Sequence, residues 1–221
     1  MLLYHTVPVT PFQQNCSIVY DDQTREAAVI DPGGDLDLIL AEVQRLGLAL
    51  KQIWLTHGHI DHAAGSVELS RRLSLPIIGP HEGDRFWIDN LPQQSSQFGF
   101  PQAEAFVPSR WLADGDVVEL GAHRLQVRHC PGHTPGHVAI RLASRGAQAL
   151  FAGDAIHHAI QVYHPNWNSF ACLDQEAARR SRRKLLEDCA GSGALLAPQH
   201  FGAPHLCHID ESGDGFTPRF A

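Results

Sequence analysis

Apolar and polar positions change their repeat along this chain, from a period of about two to a period of about 3.6 and back. Over residues 1–30 the pattern predicts strands. Leu2 to Val7 leads in, then Cys16 to Tyr20 and Ala27 to Ile30 flank the turn-forming Asp21-Asp22-Gln23-Thr24. Asp31-Pro32-Gly33-Gly34 ends this meander. Leu36, Ile39, Leu40, Val43 and Leu46 then recur at helical spacing, with Asp35 or Asp37 as a candidate N-cap and Gly47 as a stop. Lys51 to Leu55 reads as a buried strand, and Ala63 to Leu73 as a second helix ending before Leu75-Pro76. This alternation predicts an α/β layering.

Residues 79–110 are the least regular stretch. His81 to Trp87 suits a short helix, and Leu91 to Pro101 reads as a loop carrying aromatic side chains. A loop of that length in a compact domain is usually functional or mobile, so a wall over a binding pocket and a packed surface excursion are both open. The chain then returns to strands at Val117 to Leu120, His123 to His129, Val138 to Leu142 and Ala149 to Ala152. Asp174 can cap a long helix through Asp188, with Glu176 in its first turn. A last strand, Gly193 to Ala197, precedes His200. Arg179, Arg180, Arg182, Arg183 and Lys184 form the one basic cluster, which a solvated helix face explains more simply than a phosphate or nucleic-acid site.

The length of 221 residues suits one domain spanning 1–221 with a large core. A formal charge of -7 gives no general attraction to nucleic acid or anionic membrane, and no run approaches the roughly 20 apolar residues of a membrane span. The N-terminus lacks the basic start and long apolar region of a signal peptide. Cys16, Cys130, Cys172, Cys189 and Cys207 are odd in number and include no C-x-x-C pair, which fits a reducing cytoplasm rather than a disulfide framework. The 15 histidines are the anomaly, because they concentrate in a few segments.

The densest of these is Thr56-His57-Gly58-His59-Ile60-Asp61-His62, directly after the apolar Ile53-Trp54-Leu55. Imidazole and carboxylate at this density suit zinc, and less exclusively iron or manganese. His57 and His59, two apart in an extended segment, project to one side. Asp61 and His62 fall where loop becomes helix and can face a second metal. A His-rich surface loop is the plain alternative, but random spacing seldom yields the full H-x-H-x-D-H pattern.

With His133 in Cys130-Pro131-Gly132-His133-Thr134-Pro135-Gly136-His137, Asp154 in Phe151-Ala152-Gly153-Asp154, and His200 in Pro198-Gln199-His200-Phe201, this chain resembles the metallo-β-lactamase-fold superfamily. The resemblance implies a four-layer αββα sandwich with two divalent metal ions, zinc first, with iron or manganese also compatible. It assigns His57, His59 and His133 to one metal, Asp61, His62 and His200 to the other, and Asp154 to both. It implies a bridging hydroxide as nucleophile, oriented by Asp61, so that Asp61 and Asp154 carry the catalytic roles. His137 then reads as a support rather than a ligand, and Cys130 as a small buried residue. Asp31 is either a support of the metal site or a turn aspartate.

Within the superfamily, residues 1–154 resemble short bacterial glyoxalase-II-like hydrolases. The shared text includes Gln14-Asn15-Cys16, Asp31 to Asp35, Leu91 to Ser95 and Arg110 to Asp116. Residues 155–221 look closer to the lactonase and organophosphate-hydrolase branch. Asp154, where zinc β-lactamases generally carry Cys or Ser, argues against lactam hydrolysis, and His59 argues against the oxygen-reducing flavodiiron branch. A mononuclear iron persulfide dioxygenase is excluded less firmly. The resemblance implies a small-molecule thioester as substrate, with a lactone, ester or phosphotriester as runner-up, and no nucleic-acid or membrane partner; a homo-oligomer is compatible. His157, Tyr163, Trp167, Phe170, Phe201 and His205 form a candidate substrate wall, better suited to an apolar substrate than to a charged tripeptide. His157 and His158 are disfavoured as further ligands, because seven residues already complete two sites.

Overall fold

The computed structural model describes residues 1–221 as two β-sheets packed face to face, with helices on both outer surfaces. The first sheet holds five strands in sequential order: β1 (Leu2–Val9), β2 (Gln14–Asp21), β3 (Glu26–Ile30), β4 (Ala49–Trp54) and β5 (Ile77–Ile78). The second holds seven, β6 (Val117–Leu120), β7 (His123–His129), β8 (Val138–Ser144), β9 (Ala147–Gly153), β10 (Leu195–Pro198), β11 (Cys207–Ser212) and β12 (Gly215–Phe220), again laid side by side in chain order. Between β3 and β4 runs α1 (Leu36–Arg45), and the pair it connects is parallel. The helices α2 (Ile60–Ala63), α3 (Ser66–Leu73), α4 (Arg85–Asp89) and α5 (Leu91–Phe98) follow, with α6 (Ile160–Tyr163) and α7 (Gln175–Ser192) between β9 and β10.

Alternation on the strands explains the layering. In β2, Cys16, Ile18 and Tyr20 pack with Ile39 and Val43 of α1, while Val19 points the other way to Val127, Ile140 and Phe151. Every residue of β2 is buried, as expected of a strand covered on both faces. A third cluster joins Leu150, Ala152 and Leu196 of the second sheet to Leu185, Leu186 and Cys189 of α7. Three apolar layers between four structural layers give the αββα sandwich.

Several sequence expectations change in detail. The helix predicted from Ala63 to Leu73 is split into α2 and α3 at Gly65, whose backbone lies against Leu36 and the Pro32 carbonyl with no room for a Cβ. Asp35 stands at the N-cap of α1 without capping it, because its Oδ2 accepts a hydrogen bond from the Thr10 amide at 2.7 Å. Leu91 to Phe98 is a helix with Pro92 in its first turn, not a loop. Asp174 caps α7 as expected, accepting from the amides of Glu176 and Ala177 at 3.0 and 2.9 Å.

The basic cluster on α7 also needs correction. Arg182 is not on a solvated face: it is completely buried. Its guanidinium donates to the carbonyls of Ala155, Pro165 and Trp167 and to Asn168 Oδ1, at 2.6 to 3.1 Å. No carboxylate partners it in this set of bonds. The loop between β9 and α7 is therefore hung on one cation.

Candidate metal centre

The chain ends of β3, β4, β7, β9 and β10 meet at one edge of the sandwich, and the seven motif residues come together there. The loop after β4 delivers His57 and His59, and α2 carries Asp61 and His62. The turn between β7 and β8 delivers His133, the end of β9 Asp154, and the end of β10 His200. His59 Nδ1 lies 3.1 Å from His57 Nε2 and 3.0 Å from His133 Nε2. Asp61 Oδ2 lies 3.4 Å from Nε2 of both His62 and His200. Asp154 stands between these trios, with Oδ2 3.4 Å from His133 Nε2 and 3.3 Å from His200 Nε2, and Oδ1 3.4 Å from His62 Nε2.

Hydrogen-bond accounting fixes which ring atoms face the centre. Thr56 Oγ1 has one proton and gives it to Asp31 Oδ2 at 2.6 Å, so at 3.0 Å it accepts from His57 Nδ1. His57 Nε2 is left as a bare lone pair aimed inward. His62 Nδ1 donates to Asp31 Oδ2 at 3.0 Å, which aims its Nε2 inward too. Asp31 is thus a support of the site and not merely a turn residue. It also accepts from the Thr56 amide at 2.7 Å and from Gln199 Nε2 at 3.0 Å, beside His200.

His137 has a different task. Its Nε2 accepts a hydrogen bond from the Asp154 amide at 2.9 Å, so that lone pair is already used. Glycine at 153 makes the approach possible, since a Cβ there would sit 2.4 Å from His137 Nε2 and φ is +52°. Gly33 is as constrained: a Cβ would fall 1.5 Å from the Asp61 carbonyl oxygen.

Two supports escaped the sequence reading. Asp84, buried just before α4, accepts from the Gly58 amide at 2.9 Å, Thr134 Oγ1 at 2.7 Å and the Gly136 amide at 2.6 Å. It ties the first histidine loop to the second. Gln94 of α5 accepts from the Ile60 amide at 3.0 Å and donates to the Trp87 carbonyl at 2.8 Å. Asp84 stands in a segment without a motif, and Gln94 lies in the shared Leu91 to Ser95 text, which by itself assigns it no role. Their burial inside apolar neighbours is a tertiary fact that no local spacing announces. Asn15 closes the third side, donating to the carbonyls of Pro198 and Phe201 at 3.2 and 2.8 Å.

The electrostatics differ between the two trios. Burial pushes His57 and His133 well below the ordinary imidazole range and His59 down to about 4, so all three are neutral at pH 7. Burial acts on His200 in the same sense but is outweighed by Asp154 and Asp61, which raise it to about 10. His62 is raised for the same reason. Burial works against charge on Asp61, but His62 and His200 outweigh it and hold its carboxyl well below the usual range.

The donor set fits a bound cation. The ligand atoms of His57, His59 and His133 all lie within 4.8 Å of one another, as do those of Asp61, His62 and His200. Metal–nitrogen bonds of about 2.0–2.1 Å require donor atoms no farther apart than about 4.2 Å, which the measured 3.0 and 3.1 Å satisfy. His62 Nε2 and Asp154 Oδ1 are buried with no hydrogen-bond partner, and a cation between them would satisfy both. Cys172 Sγ lies 3.9 Å from His133 Nδ1, but burial raises its pKa and keeps it a thiol, a poor ligand. Burial pushes Cys130 up to about 12, which makes it inert.

A cavity of about 590 Å³ opens above this cluster. Of the six residues expected to wall it, His157 and Phe170 do so, with His157 Nε2 3.3 Å from Asp154 Oδ2. The other four are corrected. Phe201 turns into the core, where it packs with Cys207, Ile209 and Phe216 of the β11–β12 pair. Tyr163 and Trp167 are exposed outside the cavity, Trp167 stacked on His164, and His205 Nδ1 bonds the Phe201 carbonyl. His158 Nδ1 accepts from the Ile160 amide and is no ligand. Phe12, Trp87, Phe98 and Leu173 complete the walls instead.

Comparison with known proteins agrees with this geometry. The sequence model of the metallo-β-lactamase superfamily matches residues 9–200. The chain is 39 % identical over 151 residues to the hydroxyacylglutathione hydrolase GloC of Haemophilus influenzae, covering 68 % of this chain and 70 % of that protein. The B3 metallo-β-lactamase BLEG-1 superposes with a TM-score of 0.77 at 25 % identity, over 93 % of this chain and 94 % of that one. TTHA1623, solved in a di-iron-bound form, superposes with a TM-score of 0.72 at 27 % identity, over 89 % of this chain and 91 % of that one.

Proposed function

The chain belongs to the metallo-β-lactamase superfamily and is a hydrolase, and from that premise we propose that it cleaves an acyl thioester at a centre of two divalent ions. One observation carries the reading: two trios of inward-facing donors share Asp154 on the floor of an open cavity. His57, His59 and His133 would hold one ion and Asp61, His62 and His200 the other, with Asp154 common to both. Bound there, divalent ions lower the pKa of a water toward neutrality and polarise an acyl oxygen.

The chain's own residues do the rest. Asp61 stays a carboxylate and borders the cavity, so its Oδ2 accepts a hydrogen bond from the attacking water and orients it. Asp154 is fixed from behind by His137 through its amide. Asp31 and Thr56 hold the rings of His62 and His57 in one tautomer, a constraint that keeps ligand lone pairs aimed at the centre. Cys130, buried and inert, is not a nucleophile. All five cysteines are unpaired and buried, which supports a reducing cytoplasm as the setting.

Zinc is the first choice for the ions, because three imidazoles and a carboxylate are among its preferred ligands. The di-iron form of one similar structure keeps iron as the alternative. The thioester reading leans on the hydroxyacylglutathione hydrolase relative. Lactone or ester hydrolysis is the second reading, favoured by the absence of lysine and arginine from the cavity lining. The deciding experiment is hydrolysis of lactoylglutathione by the zinc-reconstituted protein. Turnover with two zinc ions per chain supports the reading. A single iron per chain with oxygen consumption would instead indicate a dioxygenase.

A further inference from the structure

The walls of the cavity differ in character from its floor. The floor is His59, Asp61, His133, Asp154 and His200; the walls are mainly apolar, Phe12, Ile60, Trp87, Phe98, Phe170 and Leu173, with Gln94 and His157 as their polar members. Besides Ile60 of α2, three separate segments supply the apolar walls. Phe12 comes from the turn between β1 and β2, Trp87 and Phe98 from α4 and α5, and Phe170 and Leu173 from the stretch before α7. The first two segments lock together, with Phe12 edge-on to Phe98 and Phe100 at ring distances of 6.1 and 5.4 Å. Trp87 stands edge-on to His59 at 4.5 Å and so joins the apolar wall directly to the floor.

This apolar surface is left in water. Phe170 is 101 % exposed, Leu173 56 % and Phe98 49 %. A contiguous apolar rim at a cavity mouth is the signature of a binding site for apolar groups. The charge pattern points the same way. The lining has no lysine or arginine, and its only formal charges besides histidine are the carboxylates of Asp61 and Asp154. A substrate arm carrying carboxylates finds no lysine or arginine there, whereas a hydrocarbon chain finds four aromatic side chains.

We propose that this cavity binds the acyl chain of the substrate, an uncharged hydrocarbon of about six carbons or more, and that chain length sets the enzyme's specificity. The proposal rests on the hydrolase reading and deepens it. At about 590 Å³ the space falls in the range that encloses drug-sized ligands, far more than a lactoyl group fills. Continuity between wall and floor places the chain beside the acyl carbon that Asp61 and Asp154 face.

The test is a series of acetyl, butyryl, hexanoyl and octanoyl thioesters of N-acetylcysteamine, an uncharged thiol, run beside lactoylglutathione on the zinc-loaded protein. Full burial of one methylene corresponds to roughly fourfold in kcat/KM. Partial burial should still give at least a tenfold rise from acetyl to octanoyl, with octanoyl exceeding lactoylglutathione. Phe170→Ala and Phe98→Ala should each lower the octanoyl-to-acetyl ratio at least threefold; both side chains are exposed, so the fold is not at stake. A flat series, or lactoylglutathione as the best substrate, overturns the inference and leaves the hydrolase reading standing. A dimer that Phe170→Ala dissolves with no change in that ratio would make the rim an interface between two copies, and also overturns it. Inactivity toward every thioester defeats the thioester reading alone, and calorimetric binding of octanamide against acetamide then decides the inference. Binding of octanamide only is the expected result, and binding of neither overturns it.

Discussion

His62 Nδ1 sits 3.0 Å from Asp31 Oδ2, and both side chains are completely buried. This pair joins the end of β3 to the metal centre. The same carboxylate holds the Thr56 amide, the Thr56 hydroxyl and Gln199. Asp31→Ala therefore leaves four buried donors without their acceptor. The expected outcome is a loss of about 3–5 kcal/mol in stability and a 10- to 100-fold weaker metal affinity. Denaturant unfolding and competition with a chelator measure the two effects.

Asp154 and His137 separate ligation from support. Asp154→Ala should abolish turnover and weaken retention of both ions, since its oxygens reach both trios. His137→Ala should lower activity without removing a full metal equivalent, because its Nε2 is spent on the Asp154 amide. Cys130→Ala should keep most activity. Metal analysis alongside kcat distinguishes the three variants, and wild-type rates in Asp154→Ala would refute the shared-ligand role.

Arg182 carries the loop that brings His157 and Phe170 to the cavity. Its replacement by Met strands the carbonyls of Ala155, Pro165 and Trp167 and the Asn168 amide oxygen. A loss of about 3–5 kcal/mol is expected from the unmade buried bonds. Hydrogen exchange should show amides of residues 155–170 opening first.

The two trios should load differently with pH. His57, His59 and His133 are neutral at pH 7 and accept an ion without losing a proton. His200 holds its proton up to about 10, and His62 is raised as well, so an ion entering there must displace protons. In the metal-free protein the protonated His200 contributes stability that is complete below its unfolded pKa of about 6.5. That contribution fades as pH rises toward 10. The first equivalent of zinc should bind at pH 7 with little proton release. The second should release protons and tighten as pH rises, and calorimetry in buffers of different ionisation enthalpy reads the difference.

Local spacing explains what the sequence made legible. The H-x-H-x-D-H run and the His133, Asp154 and His200 motifs place donors at strand ends, and strands of alternating pattern carry those ends to one edge. Arg182 was legible too, by phase: it shares a helix face with Ala178, Leu185, Leu186 and Cys189, all buried. Reading its neighbours as one charged run hid that register. Phe98 was partly legible, since the aromatic stretch from Leu91 to Pro101 suited a wall over a pocket, and Phe98 lines the cavity. Phe12 and Trp87 were not, because they join that wall only through the packing of α4 and α5 against the β1–β2 turn. Phe201 shows the opposite error: grouped with the wall aromatics, it is instead buried in the core with Cys207, Ile209 and Phe216.

The central claim is a two-ion hydrolytic centre sharing Asp154. Its most direct test is a zinc titration of the metal-free protein, with bound metal counted by native mass spectrometry and thioester hydrolysis measured at each step. Activity that is complete only at two equivalents per chain is the expected result. Saturation of binding at one equivalent, or two bound ions with no acyl hydrolysis, would contradict it.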